Sequence, residues 1–90
     1  MHIEFDDEKR EWTRSVRGLD FSRAGEVFAG KHWTVEDIRE DYGEHRYITV
    51  GKLDGRMIMM VWTPRGEVRR IISMRNANER EQTHYASRVD

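Results

Sequence analysis

The chain of 90 residues contains no cysteine and only one proline, and its hydrophobic runs are short. The absence of cysteine excludes a disulfide framework, a thiolate nucleophile and every zinc or iron–sulfur site that uses cysteine ligands. The longest apolar run, Met57 to Trp62, has six residues, far fewer than the ~20 that a membrane-spanning helix needs. No charged-then-apolar leader opens the chain, so we expect an intracellular, cytoplasmic protein without a membrane segment.

A strong excess of either charge is also absent. A net charge of −1 argues against a protein that coats nucleic acid by charge alone. Nevertheless, residues 36–44 carry five acidic side chains against one arginine, whereas residues 52–80 carry seven basic against three acidic. A phosphate-rich ligand suits the basic stretch and a basic partner suits the acidic one, although solvated faces of a small charged domain explain both equally well. A chain of ninety residues is long enough for only one hydrophobic core, so we expect a single domain that comprises residues 1–90.

Hydrophobic spacing predicts an α+β fold that starts with two helices and ends with one. Asp6 or Asp7 can cap a first helix that ends at Gly18, and Asp20 can cap a second one that ends at Gly30. An asparagine at 76 or 78 can cap the C-terminal helix. The alternating residues 2–5 predict either a short strand or a lead-in to the first helix.

Between the helices the period changes to 2, which predicts an antiparallel sheet of three or four strands. Asp54-Gly55 favours a type I′ hairpin turn, and Pro64 to Gly66 favours a second turn. We expect the helices on one side of the sheet. The strand that carries Met57 to Trp62, however, is apolar on both faces, so it is either covered on both sides or part of an interface. The predicted strands are a short one at Trp33 and Val35, then 45–53, 56–63 and 67–74.

No catalytic motif is present: the chain has no phosphate-binding glycine loop, no HExxH pair and no Gly-x-Ser-x-Gly elbow. The four histidines lack the spacing of metal ligands, so we expect no metal cofactor. Arginines on two adjacent strands are stronger candidates, because guanidinium groups match phosphate oxygens in geometry. Strict alternation places Arg69 and Arg75 on one face of the sheet and Arg70 on the other. The alternative is that these arginines form ion pairs with nearby glutamates.

The C-terminal helix brings a carboxylate, an imidazole and a phenol together at Glu81, His84 and Tyr85. Such a group can divide acid and base roles between its members. Alternatively, the tyrosine only packs on the sheet and leaves its hydroxyl in water.

Several short sequence pieces occur in a distinctive order and spacing over nearly the whole chain. The most specific stretch is 70–77, followed by Glu81 and Tyr85. The others are Phe5-Asp6 with Lys9, Gly18 with Phe21, Ala24 with Val27-Phe28, Glu44 with residues 46–51, and Thr63 with Arg65. In their order and spacing these pieces resemble the BrnT family of type II toxin–antitoxin toxins.

This resemblance implies a fold similar to RelE-type ribonucleases and metal-independent RNA cleavage that arrests translation. It also implies a BrnA-like ribbon-helix-helix antitoxin, which forms a heterotetramer with the toxin and binds operator DNA to repress the operon. From the residue types and the resemblance we expect Glu81 or His84 to take the 2′-OH proton, and Tyr85 to donate a proton or stack on a base. The arginines expected to bind and stabilise the phosphate are Arg46, Arg65, Arg69, Arg70 and Arg75.

The chain departs from the family pattern at a few positions. The family often has Asn, Lys and His where this chain has Thr13, Val16 and Arg17, and commonly has His at the position of Trp62. Asn76 also replaces a usual Lys, which removes one phosphate contact. These departures support an alternative hypothesis, in which the chain is a catalytically weak or inactive binding module that acts as co-repressor with its antitoxin.

Overall fold

The computed structural model describes residues 2–90 as an α+β fold with three α-helices and one five-stranded sheet. A 3₁₀ turn, Phe21–Arg23, leads into the second helix. In chain order the elements are β1 (His2–Phe5), α1 (Asp7–Arg17), α2 (Ala24–Ala29), β2 (Trp33–Glu36), β3 (Tyr47–Leu53), β4 (Arg56–Arg65), β5 (Val68–Asn76) and α3 (Glu79–Val89).

The helix ends follow the caps that the sequence predicts. The Asp6 carboxylate accepts hydrogen bonds from the N–H groups of Glu8 and Lys9, at 2.8 and 3.2 Å, and α1 stops at Gly18, whose φ of 69° suits glycine. Asn78 and Glu81 form a reciprocal capping box at the start of α3. The first and third predicted helices are therefore confirmed. The second ends before Gly30 as predicted, but Asp20 caps the 3₁₀ turn, and α2 itself begins at Ala24 without a side-chain cap.

The sheet has the order β1-β5-β4-β3-β2. The four predicted strands are present as β2 to β5 and pair antiparallel, which confirms the antiparallel sheet. The predicted number of three or four strands is too low, because β1 adds a fifth strand at the edge. The alternating residues 2–5 form a real strand, and this strand pairs with β5 in parallel. Parallel pairing at the edge places the Phe5 ring on the core, where its centroid lies 6.0 Å from that of Phe21. The predicted β3–β4 hairpin is confirmed, with positive φ at both turn residues, Asp54 (53°) and Gly55 (77°).

A β-bulge interrupts the alternation of β5. Val61 of β4 pairs with Ser73, but the next residue, Trp62, pairs with Ile71, so Ile72 is the additional residue on β5. Side chains on either side of the bulge therefore do not follow a simple odd–even rule.

Helices lie on both faces of the sheet, so the prediction that they share one side is wrong. On the face that we call the α1 face, the 3₁₀ turn and α2 pack with Ile58, Met60 and Trp62 of β4 in the larger core cluster. On the opposite face, the α3 face, α3 packs with Met57 and Met59 in a smaller cluster. The strand 57–62 is apolar on both faces because both are covered, which confirms one of the two interpretations of that run.

Candidate functional site

The centre of the candidate site is an ion pair between β5 and α3. The Arg75 guanidinium donates to both carboxylate oxygens of Glu81, with Nη1–Oε1 and Nη2–Oε2 distances of 2.8 and 2.7 Å. Arg75 pairs with Met59 in the sheet and therefore projects on the α3 face. Glu81 is in the first turn of α3, which the capping box orients, so the strand and the helix end fix both partners.

The pair has strong electrostatic consequences for Glu81. The two hydrogen bonds from Arg75, together with one from the N–H of Asn78 at 3.0 Å, lower the pKa of the Glu81 carboxyl to about 2 against the opposing effect of partial burial. The same contact raises the pKa of Arg75. Glu81 is therefore an ionised hydrogen-bond acceptor at neutral pH, and its proton affinity is far below that of an efficient base.

Tyr85 and His84 lie one turn further along α3. Tyr85 is half-buried and packs against the α3-face cluster, whereas His84 is exposed. Their rings meet edge to face with centroids 4.7 Å apart. Glu81 and Tyr85 are four residues apart and so share one side of the helix. The structure thus joins Glu81 to Arg75 and His84 to Tyr85, and the helix places Tyr85 one turn from Glu81.

The two arginines before the bulge point in opposite directions. Arg70 pairs with Thr63 and so projects on the α3 face, where its Nη1 lies 3.2 Å from Oε1 of Glu4. Arg69 lies on the α1 face, with its guanidinium carbon 4.7 Å from the centre of the Trp62 ring. The prediction that Arg69 and Arg75 share a face is wrong, because the bulge at Ile72 shifts the alternation by one residue.

The remaining predicted arginines are not in the centre of the site. Arg65 is exposed at the end of β4, six residues beyond Met59, which corresponds to about 20 Å along the strand from the level of Arg75. Arg46 lies just before β3, with its guanidinium carbon 4.2 Å from the centre of the Tyr42 ring. Its Nε is the one buried side-chain nitrogen or oxygen in residues 2–90 that has no hydrogen-bond partner.

The acidic stretch 36–44 contains an ordered arginine that sequence reasoning did not single out as a site residue. The Asp37 side chain, only 1% exposed, accepts hydrogen bonds from Nε and Nη2 of Arg39 at 2.8 and 2.7 Å. These bonds, with others from the Arg39 N–H and the Tyr42 hydroxyl, lower the pKa of Asp37 to about 2. The only signal in the sequence is that Arg39 is the single cation among five acids, two residues after Asp37.

The positions that depart from the family pattern include one beside Arg75: Asn76 follows it on β5, and its backbone oxygen accepts from Nη1 of Arg75 at 3.3 Å. Thr13 is buried, and Nη1 of Arg17 donates to the backbone oxygen of Met74 at 3.0 Å. Trp62 is part of the α1-face core and donates from Nε1 to Oγ1 of Thr49 at 2.8 Å. Arg17 and Trp62 therefore have structural contacts that account for their presence.

Within residues 2–90, no group of three or more histidine, aspartate or glutamate side chains is arranged to hold a metal ion. None of the helices there is long and apolar enough to cross a membrane.

The chain matches a known protein family. The family model described as "Ribonuclease toxin, BrnT, of type II toxin-antitoxin system" matches residues 5–81, most of the chain. The match includes Arg75 and Glu81. No curated protein matches the chain.

Proposed function

Because the chain belongs to the BrnT family of ribonuclease toxins of type II toxin–antitoxin systems, we propose that it cleaves RNA without a metal ion and thereby inhibits translation. The observation that carries this proposal is the bidentate Arg75–Glu81 pair on the α3 face, with Tyr85 one helical turn from Glu81 and in ring contact with His84. A guanidinium held in this way presents its remaining N–H groups in a fixed direction, as recognition of a phosphodiester requires.

The reaction that fits these groups is transesterification. A base takes the proton of the ribose 2′-OH, the 2′-oxygen attacks the adjacent phosphorus, and the bond to the 5′-oxygen breaks. The products are a 2′,3′-cyclic phosphate and a 5′-hydroxyl group, which receives a proton. Arg75 stabilises the second negative charge that develops on the phosphate oxygens in the transition state.

The low pKa of Glu81 favours a positioning role over that of base. Both oxygens of Glu81 already accept hydrogen bonds from Arg75, and Oε1 also accepts one from Asn78. We therefore assign the orientation of Arg75 to Glu81 and the base to His84, whose exposed imidazole is accessible to a substrate on this face. Tyr85, beside that imidazole, donates a proton to the leaving group or stacks on a base.

The arginines of the α3 face extend the binding surface for RNA. Arg70 projects on the same face as Arg75, four β4 residues further along, which corresponds to about 13 Å. Successive phosphates of a single strand are several ångströms apart, so the two arginines suit different phosphates of one strand. Arg46 and Arg65 then contact the more distant nucleotides.

A type II toxin family implies an antitoxin partner. We propose that this partner is a BrnA-like ribbon-helix-helix protein, that the two chains form a heterotetramer in the cytoplasm, and that the complex binds operator DNA through the antitoxin. A RelE-like fold for the toxin is part of the same proposal. The alternative of an inactive co-repressor depends on the departures at Thr13, Arg17 and Trp62, and their structural contacts do not favour it over the ribonuclease.

The test is cleavage of RNA by the purified protein in EDTA, with and without its operon neighbour. We expect cleavage in EDTA that stops when the neighbour is added. Arg75→Ala should reduce the rate by roughly 100-fold or more, as for the loss of a transition-state hydrogen-bond donor. Arg56→Ala is the matched control, because Arg56 is an exposed arginine that pairs with Leu53 of the α1-face core and so projects on the face opposite Arg75. A folded wild-type protein that binds its neighbour but leaves RNA intact would favour the co-repressor.

A further inference from the structure

Helix α1 directs its largest apolar side chains to solvent. Trp12 and Val16 are 52% and 61% exposed, whereas the small, polar Thr13 is the buried residue of the helix. Residues four apart in a helix share one side, so Trp12 and Val16 form one exposed apolar stripe. A helix that packs on a sheet normally buries such a stripe. The reversed arrangement in α1 is therefore typical of a surface that binds a ligand or a partner.

A cavity of about 160 Å³ lies beside Trp12, between α1, the 3₁₀ turn and the bulge of β5. A cavity of roughly 150 Å³ holds one benzene molecule, so this one has room for one aromatic ring. Trp12, Phe21 and Ile72 provide its apolar walls, and Thr13 and Ser73 add side chains that carry hydroxyl groups. The cavity therefore suits a flat ring with polar groups on its edge.

The charged side chains around this cavity are cations. Lys9 and Arg17 line it, and none of the lining residues within 2–90 is acidic. In that range neither cation forms an ion pair. The guanidinium carbon of Arg17 lies 4.9 Å from the centre of the Trp12 ring, and its Nη1 donates to the backbone oxygen of Met74 at 3.0 Å. A guanidinium has five N–H groups, so this bond leaves four of them available to an anion.

The cavity also reaches the strand and the face that carry Arg75. Ser73 pairs with Val61, which lies two residues from Met59 on β4, so Ser73 projects on the α3 face. Ser73 and Arg75 are two residues apart on β5, which corresponds to about 7 Å on that face. Strand β1 covers only Val68–Ile71 of the outer β5 edge. At Ser73 this edge therefore opens onto the cavity.

We propose that a nucleobase of the RNA substrate stacks on Trp12 and enters this cavity, while Lys9 and Arg17 contact the adjoining phosphate. The inference rests on the proposed RNA cleavage and adds a subsite for a nucleotide next to the one whose phosphate Arg75 binds. A nucleotide joins a flat ring to an anion, which matches an apolar cavity with a cationic rim, and single-stranded RNA presents its bases unstacked. Every base has a π-face, so this subsite fixes the path of the strand and tolerates all four bases.

The experiment compares wild type with Trp12→Leu, Trp12→Phe and the control Trp33→Leu. Trp33 is also a partly exposed tryptophan beside an arginine, Arg88, but it lies on β2, three strands away from β5. A 2′-O-methyl oligonucleotide cannot react, so it gives the affinity and its dependence on salt. RNA of the same sequence gives kcat and KM, and circular dichroism establishes that each variant is folded.

We expect Trp12→Leu to weaken the affinity by roughly 5- to 150-fold, the range for one stacked base. The slope of log affinity against log salt should stay unchanged, because the lost contact carries no charge. KM should rise while kcat is retained, since stacking acts equally on the ground state and the transition state. Trp12→Phe keeps a π-face and should recover much of the affinity, and Trp33→Leu should bind RNA as wild type does.

The cationic rim gives an independent test that does not depend on the folding of the Trp12 variants. Lys9→Ala should reduce the salt slope by about 0.7, which corresponds to one phosphate contact on a single strand. Arg56→Ala is the control, because Arg56 projects on the face opposite Arg75 and should leave the slope unchanged. Equal slopes for Lys9→Ala and Arg56→Ala would remove the phosphate contact from the proposal and so overturn it.

The remaining outcomes separate the subsite from the ribonuclease itself. If wild type cleaves RNA and Trp12→Leu binds the oligonucleotide as tightly as Trp33→Leu, the subsite is overturned and the ribonuclease stands. Equal losses in Trp12→Leu and Trp12→Phe would show that stacking is not the contact. Weaker binding of the operon neighbour with unchanged RNA affinity would overturn the subsite as well and make the stripe a protein-binding surface. A wild-type protein that neither cuts nor binds RNA would overturn both proposals.

Discussion

The Arg75–Glu81 pair provides a quantitative test, because its effect on stability depends on pH. Glu81→Gln preserves the size of the side chain and removes its charge. The ordinary pKa of this carboxyl, 4.5, is lowered to about 2 in the folded protein, which corresponds to about 3 kcal/mol of stabilisation at neutral pH. The Arg75 side chain is 44% exposed, so water screens the pair, and we expect about 1–2 kcal/mol to remain.

The sign follows from the direction of the shift. A carboxyl whose pKa is lower in the folded state stabilises the protein above its unfolded pKa, and this stabilisation is lost as the pH falls from about 4.5 towards 2. The wild type should therefore be more stable than Glu81→Gln by about 1–2 kcal/mol at pH 7. The difference should shrink to less than half of that at pH 3. Asp20 and Asp37 also have lowered pKa values, but both proteins contain them and their effects cancel in the difference.

The assay is urea unfolding followed by tryptophan fluorescence at pH 7, 5 and 3. Glu67→Gln is the matched control, since Glu67 is exposed in the β4–β5 turn and forms no ion pair within residues 2–90. A difference between wild type and Glu81→Gln that stays constant from pH 7 to 3 would show that charge is not its cause. Equal stabilities of Glu81→Gln and Glu67→Gln at pH 7 would refute the reasoning altogether.

Two further predictions follow from packing and from the bulge. Gly51→Ala places a Cβ 2.7 Å from Cγ1 of Val27, a stiff and fully buried side chain. It should therefore lower the free energy of unfolding in urea titrations by about 1–3 kcal/mol, and an unchanged urea midpoint would contradict this. Arg69→Ala removes a cation–π contact with Trp62, so it should lower the free energy of unfolding by about 0.5–2 kcal/mol without changing RNA affinity. Arg70→Ala should instead weaken RNA binding. The reverse pattern would mean that the two arginines are assigned to the wrong faces.

Local features of the fold were predictable because local chemistry determines them. A side chain that caps a helix, such as Asp6 or Asn78, acts on backbone N–H groups two or three residues away. The Asp54-Gly55 turn likewise depends on the positive φ of its own two residues. The residues next to each of these positions were therefore sufficient to predict the helix caps and the turn, and the structure confirms both.

The features that pattern analysis missed depend on distant parts of the chain. The edge position of β1 results from pairing with a strand more than sixty residues later, and no residue in 2–5 indicates a parallel partner. The bulge at Ile72 leaves no glycine or other signal in β5, yet it decides that Arg70 and Arg75 share a face. The candidate site was therefore predictable in its residue types, but the assignment of those residues to faces was not.

In the proposed function, the two faces divide stability and chemistry between them. The α1 face contains the larger, aromatic core, where Arg69 is held against the ring of Trp62. On the α3 face, the Glu81 carboxylate holds the Arg75 guanidinium through two hydrogen bonds. We propose that this ion pair orders the guanidinium before RNA binds and so lowers the side-chain entropy cost of binding. In this proposal a chain with a net charge of −1 recognises phosphate through a few directed N–H groups instead of a broad basic surface, which limits unspecific attraction to nucleic acid.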